Sequence, residues 1–349
     1  YLNLMKKYIN WGIIGLGNAA RAFSSGFQNS FNSKLFAVAS KTNEKRIFFK
    51  KKFNLEDKYL FTNYEDLIKC KDVDIVYIAL PHSMHKEWCI KSAISKKHIL
   101  VEKPATLKLS DIEEIINAVK LNNVFFAEGL TFRYHPFFLQ ILSTIKKIHP
   151  NKIKHISASF GNDAIGGKKI FGLRLKRPNK NKRLFNPDLG GGAIWDAGCY
   201  PTSLVRELIS VINKNNLNIN PLIIDVKKKY GSTGVDEYSS IKLKFHDITT
   251  DIEVSINKKL DNKIKIKTLD GEIIINEPWF PSTRSYIQII NNKKSELINC
   301  ENIINSYQSE IETISSFLIN NKKELSYPLP NFKETIDNVS ILEKWKNYS

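Results

Sequence analysis

The sequence predicts an α/β fold: a doubly wound parallel sheet first, then an α+β domain with a large, open, mostly antiparallel sheet. Up to about residue 127, apolar runs alternate with helix-favouring runs, which indicates a parallel sheet covered by helices. A turn with two glycines joins the first two runs. Beyond residue 128, several runs alternate apolar and polar residues, the pattern of strands with one solvated face.

Length supports two domains, since the chain has 349 residues and single cores seldom grow that large. We expect a first domain at 1–128 and a second at 129–349, with the last helix packing back on the first domain.

The strands predicted for the first domain are apolar and rich in β-branched residues, and they span 11–14, 35–40, 59–61, 74–80, 98–101 and 124–127. The run 74–80 is uninterrupted, which predicts a central strand. The predicted helices follow the glycine turn to residue 28 and then span 45–53, 64–70 and 84–95. A further helix is expected to begin with Ser110 as its N-cap and Glu113 at the capping-box position.

In the second domain a helix is predicted at 136–147, followed by strands at 153–160, 222–230, 238–245, 250–256, 264–269 and 273–275. Asp270-Gly271 predicts a tight hairpin between the last two strands. Further helices are expected at 193–212, 306–319 and 332–345. The Asn-rich segments 213–220 and 290–304 are interpreted as surface loops.

Composition narrows the class of protein. The net charge is +18, but lysines are spread along the chain beside Asn and Ile, so we interpret the charge as a solvated surface with a modest attraction for anionic substrates. The densest basic clusters are 50–52, 227–229 and 168–183, and no nucleic-acid-binding module is recognisable. The sequence contains no run of 18 apolar residues, so no membrane-spanning helix is predicted. These features predict neither a nucleic-acid nor a membrane partner.

The four cysteines are scattered, without metal-ligand spacing, which predicts a cytoplasmic protein without a bound metal. Met5-Lys-Lys followed by apolar residues could pass for a signal peptide, but the same apolar stretch carries the glycine turn. We therefore expect Met5 to be a natural start and Tyr1–Leu4 an extension.

The turn Gly15-Leu-Gly17-Asn18-Ala19-Ala20 has the spacing of a dinucleotide-binding loop. Gly15 allows the tight turn, and Gly17 lets a pyrophosphate approach the backbone. Ala20 permits close packing of helix on strand, and the helix N-terminus favours phosphate. The alternative is an ordinary strand–turn–helix with chance glycines. Cofactor-binding residues are predicted at this turn: Gly15, Gly17, Asn18 and Ala19.

The end of the second strand predicts which dinucleotide binds. An acidic residue there selects NAD, whereas this strand ends in Ser40-Lys41, with Lys45 shortly after. A hydroxyl and cations suit the 2′-phosphate of NADP. We therefore predict NADP as the cofactor, with NAD as the alternative. These three residues could also be ordinary turn and surface residues.

Three further clusters lie where a site is expected. Leu80-Pro81-His82 with His85, and Glu102-Lys103-Pro104, follow two strands of the predicted parallel sheet, and ligands bind at the carboxyl ends of such strands. The third is a glycine-rich stretch, 190–201, in which Asp196 and Tyr200 are four residues apart. On a helix, two such residues share one face.

Together these motifs resemble the glucose–fructose oxidoreductase / inositol dehydrogenase (Gfo/Idh/MocA) family. The resemblance covers nearly the whole chain, including Glu128-Gly-Leu-Thr-Phe-Arg133 and the stretch 183–201, which looks most like dihydrodiol dehydrogenases and NADP-dependent xylose dehydrogenases. It implies a Rossmann domain and a C-terminal sheet that assembles a homodimer or homotetramer.

The resemblance implies that Lys103, Asp196 and Tyr200 are catalytic. Tyrosine has an ordinary pKa near ~10, and a nearby ammonium favours tyrosinate, so Tyr200 is interpreted as the acid/base and Lys103 as its electrostatic partner. Asp196 is expected to orient the substrate. Alternatively, Lys103 itself could carry the proton. Tyr200 could also be a buried core residue.

Further cofactor contacts are expected from residues in or near the motifs, and these are Leu80, Pro81, His85, Glu102, Lys103, Arg133 and Trp195. For three of them a structural role is the alternative. Arg133 could pair with a carboxylate, Trp195 could be core packing, and His85 could be a bonded histidine at a helix start.

The predicted function is NAD(P)-dependent hydride transfer to or from a hydroxyl or carbonyl of a sugar, sugar derivative or cyclic diol. One alternative is a nucleotide-sugar or amino-sugar dehydrogenase of polysaccharide synthesis, in which the basic segment 168–183 could bind a diphosphate. The other is a non-catalytic protein that senses the cofactor.

Overall fold

The computed structural model describes residues 8–148, 152–166, 169–170, 173–174, 177–213, 220–291, 294–301 and 304–348. The predicted start at Met5, the Tyr1–Leu4 extension, part of the basic segment and most of the Asn-rich segment 213–220 lie outside the described residues. The chain divides into two compact units, Tyr1–His135 with Ile304–Ile336, and Pro136–Ile303 with Asp337–Ser349.

Within the described residues the strands are, in chain order, β1 (Ile9–Ile14), β2 (Ser33–Ala39), β3 (Leu60–Phe61), β4 (Ile75–Ile78), β5 (His98–Glu102), β6 (Phe126–Gly129), β7 (Ile153–Gly161), β8 (Lys169–Ile170), β9 (Leu173–Arg174), β10 (Leu222–Tyr230), β11 (Asp236–Phe245), β12 (Ile248–Ser255), β13 (Lys263–Thr268), β14 (Gly271–Asn276), β15 (Tyr286–Asn291) and β16 (Lys294–Asn299). The α-helices are α1 (Asn18–Ser24), α2 (Asn43–Phe53), α3 (Tyr64–Lys69), α4 (His85–Ile94), α5 (Leu109–Asn122), α6 (Pro136–Lys146), α7 (Ala193–Ala197), α8 (Cys199–Ile212), α9 (Ser306–Ile319) and α10 (Phe332–Asn347).

The first unit contains a parallel sheet in the order β3-β2-β1-β4-β5-β6. This confirms the predicted doubly wound sheet, with β4 in its interior. The strand order reverses between β1 and β4, and the crevice at such a reversal is where ligands bind in open parallel sheets.

Aromatic residues form much of the core of the first unit. Phe23 of α1 stacks on Tyr77 of β4 with ring centroids 3.8 Å apart, and Trp11 of β1 packs against Phe23. The indole N–H of Trp11 donates to Ser315 Oγ at 3.0 Å. Because Ser315 lies on α9, a helix from near the end of the chain packs on the first strand of the sheet.

Besides shifts of one or two residues at helix ends, two predicted features of the helices differ from the structure. Ser110 is not the N-cap of α5: the cap is Lys108, whose backbone is extended, so Ser110 lies inside the first turn and the predicted capping box is wrong. The predicted helix 193–212 is interrupted at Gly198, between α7 and α8. Pro201 explains the interruption, because it has no N–H to donate to the carbonyl of Ala197.

The second unit is built on a sheet in the order β10-β11-β12-β7-β13-β14-β15-β16. Only the β12–β7 pair of this described sheet is parallel, so the predicted mostly antiparallel sheet is confirmed. Asp270-Gly271 joins β13 to β14 as predicted. Helices α7 and α8 pack against β7, β11 and β12.

The segment 290–304 is wrongly predicted as a loop over part of its length, because β15 and β16 form an antiparallel hairpin there. Strand β16 is an edge strand whose side chains are mostly exposed. Its residues therefore show no alternation of apolar and polar side chains, which is the signal on which strand prediction depends.

Candidate functional site

The glycine turn after β1 is tightly packed at one glycine and open at the other. Gly15 has φ +86°, and a Cβ there would lie 2.5 Å from the carbonyl oxygen of Ala79. A Cβ on Gly17 would meet no protein atom within 4 Å. Packing within the protein therefore requires glycine at position 15 but not at 17. A pyrophosphate that approaches the backbone does require it at 17, so the turn fits a dinucleotide.

Asn18 and Ala19 begin α1 directly after this turn. Ala20, the third small residue of the motif, is fully buried, as close packing of helix and strand requires.

The end of β2 carries the residues predicted to select the cofactor. Ser40 is buried and its hydroxyl accepts the N–H of Thr42 at 3.2 Å, whereas Lys41 is exposed and Lys45 half-buried. Arg46, which sequence reasoning missed, donates through Nη1 to the carbonyl of Ser40 and through Nη2 to Asn43 Oδ1 at 3.0 Å. The guanidinium is thereby held at the tip of this strand.

His85 joins the ends of two neighbouring strands. Its ring is fully buried, with Nε2 3.0 Å from the carbonyl oxygen of Leu80 and Nδ1 3.1 Å from that of Pro104. Leu80 is itself buried, and Pro81 is half-buried at the start of the next turn. The bonding of His85 agrees with the structural alternative, a histidine that fixes the backbone next to Lys103.

Lys103 is half-buried and directly follows β5. The preceding residue, Glu102, accepts a hydrogen bond from the hydroxyl of Tyr77 and, at 3.2 Å, from the backbone N–H of Lys103. Burial and the negative charge of Glu102 raise the pKa of Tyr77 well above its ordinary value, so Tyr77 remains a hydrogen-bond donor to Glu102 at neutral pH.

Arg133 is the predicted cofactor contact that the geometry supports least. Its side chain is only 1% exposed, and Nη2 donates to Glu334 Oε1 at 2.8 Å and to the carbonyl of Pro328 at 2.7 Å. This agrees with the alternative role, pairing with a carboxylate. Trp195 is also buried, as expected for core packing.

The glycine-rich stretch of the second unit has a packing function. Gly192 has φ +112°, and a Cβ there would lie 2.4 Å from Asp236 Oδ1. The other oxygen of Asp236 accepts the N–H of Ile194 at 2.8 Å, and Lys346 donates to Oδ1. Gly192 therefore allows Asp236 to reach the start of α7, the helix that carries Asp196.

Asp196 and Tyr200 have different surroundings within the second unit. Asp196 is half-buried and accepts a hydrogen bond from Arg183 Nη2 at 2.6 Å. Tyr200 is 7% exposed, and its ring packs edge-to-face on Phe160, with 5.0 Å between centroids, and lies 5.6 Å from Phe280. Phe280 is itself 52% exposed, so this aromatic group extends to the surface of the unit.

Lys103 belongs to the first unit, and Asp196 and Tyr200 belong to the second, so the convergence of these three side chains stays a prediction. Across the described residues, no group of three or more His, Cys, Asp or Glu side chains is arranged to hold a metal ion. None of the helices in the described part of the chain is both long and apolar enough to cross a membrane.

A parallel sheet whose first strand enters a helix through this glycine turn, with cationic side chains at the ends of β2 and β5, defines a dinucleotide-binding protein. Residues 9–130 match the profile of the Gfo/Idh/MocA family, described as an oxidoreductase family with an NAD-binding Rossmann fold. This part of the chain, which contains the glycine turn and Lys103, is therefore similar to the NAD-binding domain of that oxidoreductase family.

Known proteins are similar over most of the chain. D-xylose 1-dehydrogenase (NADP(+)) of Hypocrea jecorina is 25% identical over 312 residues, which cover 84% of this chain and 78% of that protein. Trans-1,2-dihydrobenzene-1,2-diol dehydrogenase of Xenopus tropicalis is 27% identical over 277 residues, 78% of this chain and 77% of that one. The crystal structure of a 3-ketoreductase from Actinomadura kijaniata with NADP and TDP-benzene has a TM-score of 0.83 at 18% identity and covers 97% of both chains, which shows that the fold is shared.

Proposed function

We propose that this chain is an NADP-dependent oxidoreductase that transfers a hydride between the nicotinamide cofactor and a hydroxyl or carbonyl group of a sugar, sugar derivative or cyclic diol. The observation that carries the proposal lies in the first unit. Strands β1, β4 and β5 are parallel neighbours, so the turn at Gly15 and the side chain of Lys103 follow strand ends at the same edge of the sheet. The names of the xylose and dihydrodiol dehydrogenase relatives support the substrate class and the use of NADP.

The cofactor is proposed to be held by two groups of residues in the first unit. Gly15, Gly17, Asn18 and Ala19 would face the pyrophosphate. The tip of β2 would hold the 2′-phosphate, and the residues there are Ser40, Lys41, Lys45 and Arg46. A phosphate accepts strong hydrogen bonds from hydroxyl and guanidinium donors, and Arg46 is already positioned there through Ser40 and Asn43.

When bound, the nicotinamide would supply or accept the hydride, and the chain's own residues would move the proton. We propose that Tyr200 exchanges the proton of the substrate hydroxyl and that the charge of Lys103 favours the tyrosinate form. The ordinary pKa of tyrosine, about 10, is too high for an efficient base at neutral pH, and a neighbouring cation lowers it. Asp196, fixed by Arg183 at 2.6 Å, would accept a hydrogen bond from a second hydroxyl of the substrate.

We also propose that copies of the chain associate through the open face of the second unit's sheet. The side chains there carry charges of both signs, including Lys242, Asp251, Glu253 and Lys265, around a hollow of about 590 Å³. A cytoplasmic location is proposed because the four cysteines, all within the described residues, form no disulfide, as in reducing compartments.

The function is tested by incubating the purified protein with NADP⁺ or NAD⁺ and a panel of aldoses, polyols, cyclic diols and nucleotide sugars, while cofactor reduction is followed by absorbance. We expect reduction of NADP⁺ with an aldose, polyol or cyclic diol. Turnover restricted to nucleotide sugars would favour the polysaccharide alternative. Cofactor binding without turnover in either direction would contradict the proposal and favour a sensor.

A further inference from the structure

Glu128 is a buried carboxyl to which the proposed chemistry assigns no role. It lies on β6 and is paired with Val101 of β5. Val101 precedes Lys103 by two residues. The residue is 0% exposed. Its Oε1 accepts the backbone N–H of Ala105 at 2.9 Å, and among the described residues Oε2 has no hydrogen-bond partner. A buried carboxylate oxygen without a partner is costly, so this position needs an explanation.

The groups around Glu128 suggest one. The backbone N–H of Ala105, the nearby hydroxyl of Thr335 on α10 and the positive charges of Lys103 and Arg133 all favour the ionised form of Glu128. The positive charge of Arg133 also acts on Glu334, to which its guanidinium donates a hydrogen bond directly. Tyr134 is a further titratable neighbour, and burial keeps the pKa of its phenol far above neutrality.

Burial acts in the opposite direction and is the larger effect, so the pKa of Glu128 is raised to about 7. The carboxyl therefore gains and loses its proton in the range where the proposed enzyme works. An ionised Glu128 stabilises the ammonium form of a neighbouring lysine, because opposite charges favour each other's charged forms.

We propose that Glu128 is a positioning residue for Lys103. Through the N–H of Ala105 it fixes the backbone two residues after Lys103, and through its negative charge it keeps the Lys103 side chain in the ammonium form. The proposal rests on the proposed function for its catalytic consequence, because the ammonium of Lys103 is the group assigned to Tyr200.

Glu128→Gln separates the two effects, since the amide oxygen can still accept the Ala105 N–H while the charge is lost. The matched control is Glu310→Gln. Glu310 is a second fully buried carboxyl of the same unit, whose Oε2 accepts the hydroxyl of Thr131 at 3.4 Å. Burial and the negative charge of Glu102 raise the pKa of Glu310 well above its ordinary value.

The first readout needs no substrate. Lys103 is labelled competitively with trace acetic anhydride at a series of pH values, and its acetylation is measured by mass spectrometry. We expect Glu128→Gln to lower the apparent pKa of Lys103 by roughly one unit, as loss of a nearby charge does, and Glu310→Gln to leave it unchanged. An unchanged Lys103 profile in Glu128→Gln would overturn the proposal, even if the protein turned over no substrate of the panel.

The second readout is the pH dependence of kcat/KM with a substrate from the panel. The acidic limb is expected to move in Glu128→Gln and not in Glu310→Gln, whereas a purely structural role for Glu128 would move neither. If Glu128→Gln does not fold, the wild-type protein decides. Its Lys103 labelling curve must depart from a single titration near pH 7, where Glu128 ionises, and a simple one-group curve would refute the idea.

Discussion

Arg183 and Asp196 form a hydrogen-bonded ion pair in the second unit, with Nη2 of the arginine 2.6 Å from Oδ1 of the aspartate. Their side chains are 33% and 25% exposed, so a substrate can still reach the pair. The guanidinium fixes the direction of the carboxylate that is proposed to orient the substrate.

Replacing Arg183 is expected to weaken substrate binding more than the chemical step. In Arg183→Ala, Asp196 loses a charged hydrogen bond worth roughly 1.5–3 kcal/mol, and we expect KM to rise about tenfold while kcat changes less. Steady-state kinetics on the best substrate measures this. Arg284→Ala is the control, since Arg284 pairs with Glu277 at 3.4 Å while 77% exposed. Equal KM values in the two variants would contradict the role given to Asp196.

Arg46 is expected to carry much of the preference for NADP over NAD. Arg46→Ala removes the guanidinium held by Ser40 and Asn43. We expect the dissociation constant for NAD divided by that for NADP to fall by about tenfold, the effect of one lost charged hydrogen bond. Fluorescence titration with each cofactor measures it. Lys51→Ala, an exposed cation on the same helix, should leave the ratio unaltered. Tighter binding of NAD than NADP by the wild-type protein would rule out the NADP assignment.

The buried ion pair of Arg133 is expected to be important for stability. Arg133→Met leaves Glu334 uncompensated in a site where its side chain is 4% exposed, which typically costs roughly 3–5 kcal/mol and lowers Tm by roughly 10 °C. Lys152→Met removes the half-exposed pair with Asp270 and should change stability by less than about 1 kcal/mol. Thermal unfolding of both variants tests the difference, and a small loss for Arg133→Met would mean that the pair is dispensable.

Glu128 should make folding stability depend on pH. Burial raises its pKa from the ordinary 4.5 to about 7, so between these values the unfolded chain releases a proton that the folded protein keeps. Stability contributed by protonated Glu128 is complete below about pH 4.5 and is lost as pH rises through about 7, with a total of roughly 3 kcal/mol at most.

Glu128→Gln has no such proton, so its free energy of unfolding relative to wild type should improve between about pH 5 and about pH 8. Denaturant unfolding at the two pH values gives the difference. Glu296→Gln, at an exposed position of β16, provides the control. A constant offset between wild type and Glu128→Gln would show that Glu128 does not titrate in this range.

Local patterns were sufficient to predict the parallel sheet and its nucleotide turn. Strand β4 is a continuous apolar run, and the requirement for glycine at position 15 is visible in the motif because the turn forms within a few residues. The hairpin at Asp270-Gly271 is likewise a local signal.

Features that depend on distant contacts could not be predicted in this way. Arg46 was missed because only the folded tip of β2 holds its guanidinium. The partner of Arg133 is Glu334, 201 residues further along the chain, and no spacing rule connects them. The same holds for the burial of Glu128, which depends on neighbours from several elements, and for β16, whose exposed side chains carry no periodic pattern.

The central claim is that Lys103 and Tyr200 perform the proton chemistry, and the most direct measurement is kcat for Lys103→Ala and Tyr200→Phe at saturating NADP⁺ and substrate. Lys86→Ala and Tyr238→Phe serve as matched controls, because these side chains are bonded to carboxylates elsewhere on their units. We predict that kcat falls at least about a hundredfold in each of the first two variants, with the NADP⁺ dissociation constant changed little and the controls near wild type. Near-normal turnover in both Lys103→Ala and Tyr200→Phe would contradict the account.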